Sequence, residues 1–154
     1  EEAEEVVKSV RYAPKGIRGM AGITRANRFG QVQDYATRAH EEICVLVQAE
    51  TALALENLED IASVDGIDGV FIGPADLAAS MGFTGQPDHP DVVKACEDAI
   101  ARLAAIECPA GILTLNESFS KRCIELGTLF TAVGVDVCMV VDGAKSLRQR
   151  FHFI

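Results

Sequence analysis

The chain has 154 residues, 49% of them hydrophobic and only 6% aromatic, with 14 basic against 23 acidic residues. That length suits one domain, and the small aliphatic residues suit helices packed on a parallel sheet. A net charge of −9 argues against nucleic-acid binding, and no stretch reaches the roughly 18 apolar residues of a membrane span.

Residues 1–10, EEAEEVVKSV, read as a helix whose acidic first turn suits the helix dipole. They do not resemble a signal peptide, and the helix opens without a preceding loop or cap, which points to further sequence upstream. Residues 11–30 are Gly-rich and carry Arg11, Lys15, Arg18, Arg25 and Arg28, a long loop of the kind that is usually functional or mobile. Residues 31–42 read as a helix.

A repeated β-then-α rhythm follows. Strands are expected at Ile43–Ala49, Gly69–Ile72, Ala110–Thr114 and Leu129–Val133. Helices are expected at Thr51–Val64, from Pro74, at His89–Glu107, Glu117–Leu126 and Val137–Arg150. In His89–Glu107, Val93, Cys96, Ile100, Leu103 and Ala104 recur at helical spacing. The strands are continuous apolar runs, as in strands covered on both faces. Four such units imply a parallel sheet with right-handed crossovers, either open and doubly wound or closed as a (β/α)8 barrel. Neither GxGxxG nor GxxxxGK[ST] occurs, and acidic and glycine residues at the strand ends favour the barrel.

Cys44, Cys96, Cys108, Cys123 and Cys138 are scattered, with no CxxC pair. They read as small core residues of a reducing compartment, which places the protein in the cytoplasm.

Two strands end in acids: ICVLVQAE at Glu50 and GVFIGPADL at Asp76. Alone, Glu50 reads as a cap of the next helix and Asp76 as a first-turn acid. Together they lie where a parallel barrel builds its active site, and their oxygens suit a hard divalent cation. Gly73-Pro74-Ala75-Asp76 opens a helix, whose free N–H groups favour a carboxylate or phosphate. A cation beside such a turn suits an α-keto acid. Gln48 shares the strand face of Glu50. It reads either as a donor to the reacting oxygen or as a buried amide. His40, His89 and His152 lie away from strand ends, and Ser118 and Ser120 have no triad partners. The terminal RFHFI reads as a packing patch on the body or on another subunit.

LVQAE followed by GIDGVFIGPADLAASMG resembles the HpcH/HpaI aldolases, as do PKGIRGMAGITRANRFG, GILTLNE and FTAVGVDV. The likeness runs from about residue 5 to about residue 150. Ala49 and Ala78 stand where Val and Ser are commoner. The resemblance implies a phosphoenolpyruvate/pyruvate-type (β/α)8 barrel, about 250 residues when complete, with residues 1–154 forming its C-terminal half as a single domain. It implies a class II aldolase that splits 4-hydroxy-2-oxo acids into pyruvate and an aldehyde through a metal-stabilised enolate. Glu50 and Asp76 would be the ligands of Mg, Mn or Co. The amides of Ala75 and Asp76, in the turn begun by Gly73 and Pro74, would hold the pyruvate carboxylate. Gln48 would lie beside the metal and Leu113 would flank the substrate. The family's catalytic His and Arg would lie upstream, so this chain alone would be inactive. A hexamer, a trimer of dimers with exchanged C-terminal helices, is implied. Two other readings compete: a half-barrel that binds or assembles without turnover, and a citrate lyase β-like enzyme acting on acyl-CoA. Open strand edges predict that the isolated chain oligomerises or aggregates.

Overall fold

A computed structural model of the chain describes residues 1–151. Four parallel strands form one sheet in sequence order: β1 (Leu46–Ala49), β2 (Gly69–Ile72), β3 (Ala110–Leu113) and β4 (Phe130–Ala132). Before β1 come α1 (Glu2–Val10) and α2 (Tyr35–Glu42). The crossovers hold α3 (Ala52–Glu56) and α4 (Leu58–Ala62), then α5 (Pro74–Ser80) and α6 (Pro90–Ala105), then α7 (Glu117–Glu125). α8 (Asp136–Phe151) closes the described chain. The expected parallel α/β rhythm is therefore present, with differences that have local causes.

Alternation of side chains gives the sheet two unlike faces. Ala49, Val70, Ile72, Ala110 and Ile112 point toward the helices and join one core cluster. α6 supplies its centre, with Val92, Cys96, Ala99, Ile100 and Leu103 fully buried. Each large aliphatic side chain buried there contributes about 1.5–3 kcal/mol. The expected stripe on this helix is rotated: Val92 and Ala99 face the core, Val93 is only partly covered, and Ala104 is exposed. His89 caps the helix through Nδ1, which accepts from the Asp91 amide, and its ring stacks on Phe83 at 3.7 Å. The opposite face of the sheet carries Leu46, Gln48, Phe71, Leu113 and Phe130. Leu46 and Phe130 remain 47% and 57% exposed. That is the face which a closed barrel fills with side chains.

The expected Thr51–Val64 helix breaks at Asn57. Asn57 Nδ2 donates to the Leu53 carbonyl, the same oxygen that its backbone N–H uses, and its ψ of 22° ends α3. A side chain competing for helical carbonyls explains the break. The expected helix at 31–42 begins only at Tyr35, because residues 22–30 are wound around the Asn27 side chain and the Val32 amide donates to the Asn27 backbone carbonyl. β1 starts at Leu46 rather than Ile43, since the Val45 amide donates to the Asp68 carboxylate and the Val45 carbonyl accepts from the Asp68 amide. The cysteine expectation holds for Cys96 and Cys123, which are buried free thiols. Burial pushes Cys96 up to about 12 and Cys123 to about 11, so both stay protonated and inert. Cys44 is exposed and Cys108 and Cys138 are only partly buried, contrary to expectation.

α4 is tied to α6 by a two-pronged ion pair, Arg102 Nε to Glu59 Oε1 at 2.7 Å and Nη2 to Oε2 at 2.5 Å. The Arg102 hydrogen bonds, aided by a backbone bond, hold the Glu59 carboxyl down at about 2 from an ordinary 4.5. A depressed carboxyl contributes stability above its unfolded pKa and loses it as pH falls toward the folded one. Wild-type protein should therefore exceed Glu59→Gln in urea midpoint at pH 6, with the gap closing as pH drops from about 4.5 to about 2. A gap that stays constant across that window would refute this role. The pair is partly solvated, so the gap will be small.

Candidate active site at the strand ends

The register places the strand ends level along the carboxyl edge of the sheet. Ala49 pairs with Ile72, Ile72 with Ile112, and Leu113 with Ala132. At the last step of this edge, Glu50, Gly73, Leu113 and Ala132 form a row on the face opposite the helix-packed core. The row beneath it is Gln48, Phe71, Gly111 and Phe130. There Gly111 leaves room for two rings: a Cβ on it would sit 2.8 Å from Phe71 Cδ2 and 3.1 Å from the Phe130 carbonyl oxygen. Phe71 and Phe130 meet across it at 5.7 Å. An aromatic floor thus lies under a polar edge.

Gln48 Nε2 donates a hydrogen bond to Glu50 Oε2. Both side chains crowd Gly73, whose Cβ position lies 2.9 Å from Gln48 Nε2, 2.9 Å from the Glu50 Cβ and 3.0 Å from Glu50 Oε2. Glu50 is not the helix cap that a lone carboxylate would make there. Thr51 is, with Oγ1 accepting from the Ala54 amide. The Glu50 carboxylate is thereby left to the sheet edge.

Gly73 also begins α5. Pro74 occupies the first turn, where its fixed φ suits the helix and its missing N–H costs nothing. Leu77 and Ala78 are fully buried and pin the helix to the core, while Ala75 and Asp76 stay exposed. The Leu77 amide is bonded to the Gly73 carbonyl. The Ala75 and Asp76 amides precede that bond and belong to the first-turn donors without an intrahelical partner. The structure therefore brings Gln48, Glu50 and Gly73 into contact, hangs Asp76 on the helix that Gly73 starts, and sets Leu113 one strand along. Leu113 is 38% exposed and so available for apolar contact.

Among the described residues, no group of three or more His, Cys, Asp and Glu side chains is arranged around one point. The Glu50 and Asp76 carboxylates offer oxygen donors only, and hard cations are commonly held by one or two carboxylates with water and substrate completing the shell. The residues fit such an ion. His40 lies exposed in α2 and His89 is committed to capping α6, while His152 lies outside the described residues. Two open clefts lie elsewhere: about 700 Å³ between α1 and α4, and about 300 Å³ beside Tyr12, Met20 and His40. Neither touches Glu50 or Asp76. Sequence reasoning missed Ala132 and the Phe71 and Phe130 floor, which only the strand register reveals.

The family model described as HpcH/HpaI aldolase/citrate lyase matches residues 1–143. A pyruvate aldolase of Rhizobium etli is 58% identical over 151 residues, covering 98% of this chain and 59% of its own length. A 4-hydroxy-2-oxo-heptane-1,7-dioate aldolase of Salmonella paratyphi B is 51% identical over 152 residues, covering 98% and 58% respectively. The chain thus spans about three fifths of these relatives. A crystal structure of an HpcH/HpaI aldolase/citrate lyase family protein from Burkholderia cenocepacia superposes with a TM-score of 0.90 at 33% identity, covering 98% of this chain and 60% of the other. The sheet described above matches part of that barrel.

Proposed function

Because this chain belongs to the HpcH/HpaI aldolase/citrate lyase family, we propose that it carries the catalytic strand ends of a class II aldolase cleaving 4-hydroxy-2-oxo acids to pyruvate and an aldehyde. One observation carries the reading. Gln48 and Glu50 are bonded to each other and packed on Gly73, the residue from which the Asp76 helix springs. That contact supports a site of two carboxylates on neighbouring strand ends beside open backbone amides.

Glu50 and Asp76 would hold a divalent cation, Mg, Mn or Co. When bound, such an ion stabilises negative charge developing on a keto oxygen. The Ala75 and Asp76 amides receive the carboxylate of the 2-oxo acid at the positive end of α5. Gln48, whose Nε2 donates to Glu50, orients that carboxylate side chain and has a second N–H that can donate to the reacting oxygen. Leu113 and the aromatic floor keep water from the reacting carbons. Pyruvate and a small aldehyde are the expected products. Proton transfer and polarisation of the keto oxygen have no assigned carrier among the described residues.

α8 has no buried residue, and Val137, Met139 and Val140 are exposed along it. That exposed helix supports a homo-oligomer, with a hexamer built as a trimer of dimers as the expected form. No helix among the described residues is long and apolar enough to cross a membrane. The acidic balance speaks against nucleic acid as a partner, and the free thiols support a cytoplasmic setting.

The direct assay is pyruvate release from a 4-hydroxy-2-oxo acid by the assembled enzyme, with Mn and then with EDTA. Release that EDTA removes and Mn restores is expected. Release indifferent to EDTA, or cleavage of an acyl-CoA in preference, would overturn the reading.

A further inference from the structure

A hydrogen bond joins two neighbouring crossovers at the edge of the site: Asn116 Nδ2 donates to Asp88 Oδ1 at 3.1 Å. Asp88 precedes α6, the long helix that returns to the start of β3, so it stands at the carboxyl end of the sheet. Asn116 follows β3 and stands at the same end. We propose that Asp88 is a positioning residue of the site. Through Asn116 it fixes the turn after β3, and with it Leu113 and Leu115, the apolar wall against the carbon chain of a bound 2-oxo acid. The proposal deepens the aldolase reading above and rests on it.

Asp88 is held from the α5 side. The Phe83 amide donates to the Ala78 carbonyl at 2.7 Å, the Gln86 amide to the Phe83 carbonyl at 2.9 Å and the His89 amide to the Gln86 carbonyl at 3.0 Å. The His89 ring, stacked on Phe83, closes this loop on itself. α5 is in turn clasped to the preceding crossover, where Ser80 Oγ accepts from the Ala52 amide at 3.0 Å. Short bonds therefore tie Asp88 to the helix that carries Asp76.

Asn116 is held from the β3 side. The Thr114 amide carries the ladder on to the Ala132 carbonyl at 3.1 Å. The Asn116 amide donates to Thr114 Oγ1 at 3.2 Å, and Ser120 Oγ reaches the Thr114 and Asn116 carbonyls at 3.0 Å each. Asn116 Oδ1 caps α7, accepting from the Phe119 amide at 3.2 Å and from Ser118 Oγ at 2.7 Å. Its Nδ2 is left over from the cap, and Asp88 takes it. Thr114 and Ser120 are buried, while Leu113 and Leu115 are 38% and 55% exposed. The local bonds set the shape of this turn. The bond to Asp88 sets its place relative to α5, and a positioned group needs to move only about 1 Å to impair a reaction.

The test is steady-state pyruvate release by the assembled enzyme with Mn, accompanied by Mn affinity from calorimetry and by thermal unfolding. Asp88→Ala should raise KM for a 4-hydroxy-2-oxo acid about 10-fold, the effect of losing one charge-assisted hydrogen bond. Its kcat should stay within about twofold of the parent, because Glu50, Asp76 and the α5 amides are untouched. Asp88→Asn keeps an acceptor and should hold KM within about threefold of the parent. Asn116→Asp keeps the α7 cap but sets two carboxylates face to face, and KM should rise at least as far as in Asp88→Ala. Adding Asp88→Asn to it returns a donor opposite the new carboxylate and should recover KM. Asp91→Asn, which removes an exposed carboxylate from the first turn of α6, should behave as the parent, and Mn affinity should not change in any variant. Parent-like KM in both Asp88→Ala and Asn116→Asp, or no recovery in the paired variant, overturns the proposal alone. Earlier unfolding with parent-like KM assigns the bond to folding and likewise overturns it. A parent that releases no pyruvate overturns the aldolase reading and the proposal with it.

Discussion

Glu50→Ala or Asp76→Ala, made in the assembled enzyme, is expected to lower kcat/KM for 4-hydroxy-2-oxo acid cleavage by about 10³-fold or more while the fold survives. The magnitude follows from what each carboxylate would do. Losing one preorganised electrostatic contact at a reacting oxygen already costs about 10²–10³ in rate, and losing a cation ligand removes more than one contact. The fold survives for a different reason. Glu50 is only half-buried at the sheet edge, Asp76 is exposed, and neither enters the core cluster. α5 stays pinned by Leu77 and Ala78. Two measurements are needed together: Mn affinity by calorimetry and turnover by pyruvate release. Weakened Mn binding with unchanged thermal unfolding is the expected pair. Turnover equal to the parent in either variant would remove the site assignment.

Gly73→Ala is the second change with a large expected effect, and it touches no carboxylate. Gly73 has φ of −104° and ψ of 87°, so its backbone is not in the left-handed region and strain is not the issue. Space is. The added methyl would meet Gln48 Nε2 and the Glu50 Cβ at 2.9 Å and Glu50 Oε2 at 3.0 Å. The amide of Gln48 has freedom to swing away, but the Glu50 Cβ is fixed to the end of β1 and cannot. Either the β1 and β2 ends part or Glu50 leaves its position. A misplacement of about 1 Å in a positioned group is enough to cost about 10²-fold in rate, and overpacking of this kind costs about 1–3 kcal/mol of stability. We expect kcat to fall about 100-fold with a smaller change in KM, because the Ala75 and Asp76 amides remain. Parent-like kcat in Gly73→Ala would mean that the Gln48, Glu50 and Gly73 contact does not position the site.

Much of the candidate site was legible along the chain because its residues sit where strands stop. An apolar run ending in Glu50 and another ending in Gly73-Pro74-Ala75-Asp76 are local patterns, and strand ends of a parallel sheet face one side. Whether Glu50 merely caps the next helix was decided by a neighbour: Thr51 has the shorter, better placed oxygen. Leu113 was legible only through the family likeness, and its place beside Gly73 comes from register.

The amino-acid sequence by itself determined the order of strands and helices, the parallel sense of the sheet and the carboxylates at its edge. Those follow from continuous apolar runs, turn residues and crossover handedness, all of which act over short spans of chain. Tertiary structure alone decided the rest. The core stripe of α6 centres on Val92, Cys96 and Ala99 because helix rotation is set by packing on β2 and β3. The helix after Thr51 breaks at Asn57 and the loop at 22–30 knots around Asn27 because single side chains outcompete the backbone for its own hydrogen-bond partners. Gly73 came to lie against Glu50 only through the pairing of Ala49 with Ile72, a coincidence of register between segments more than 20 residues apart.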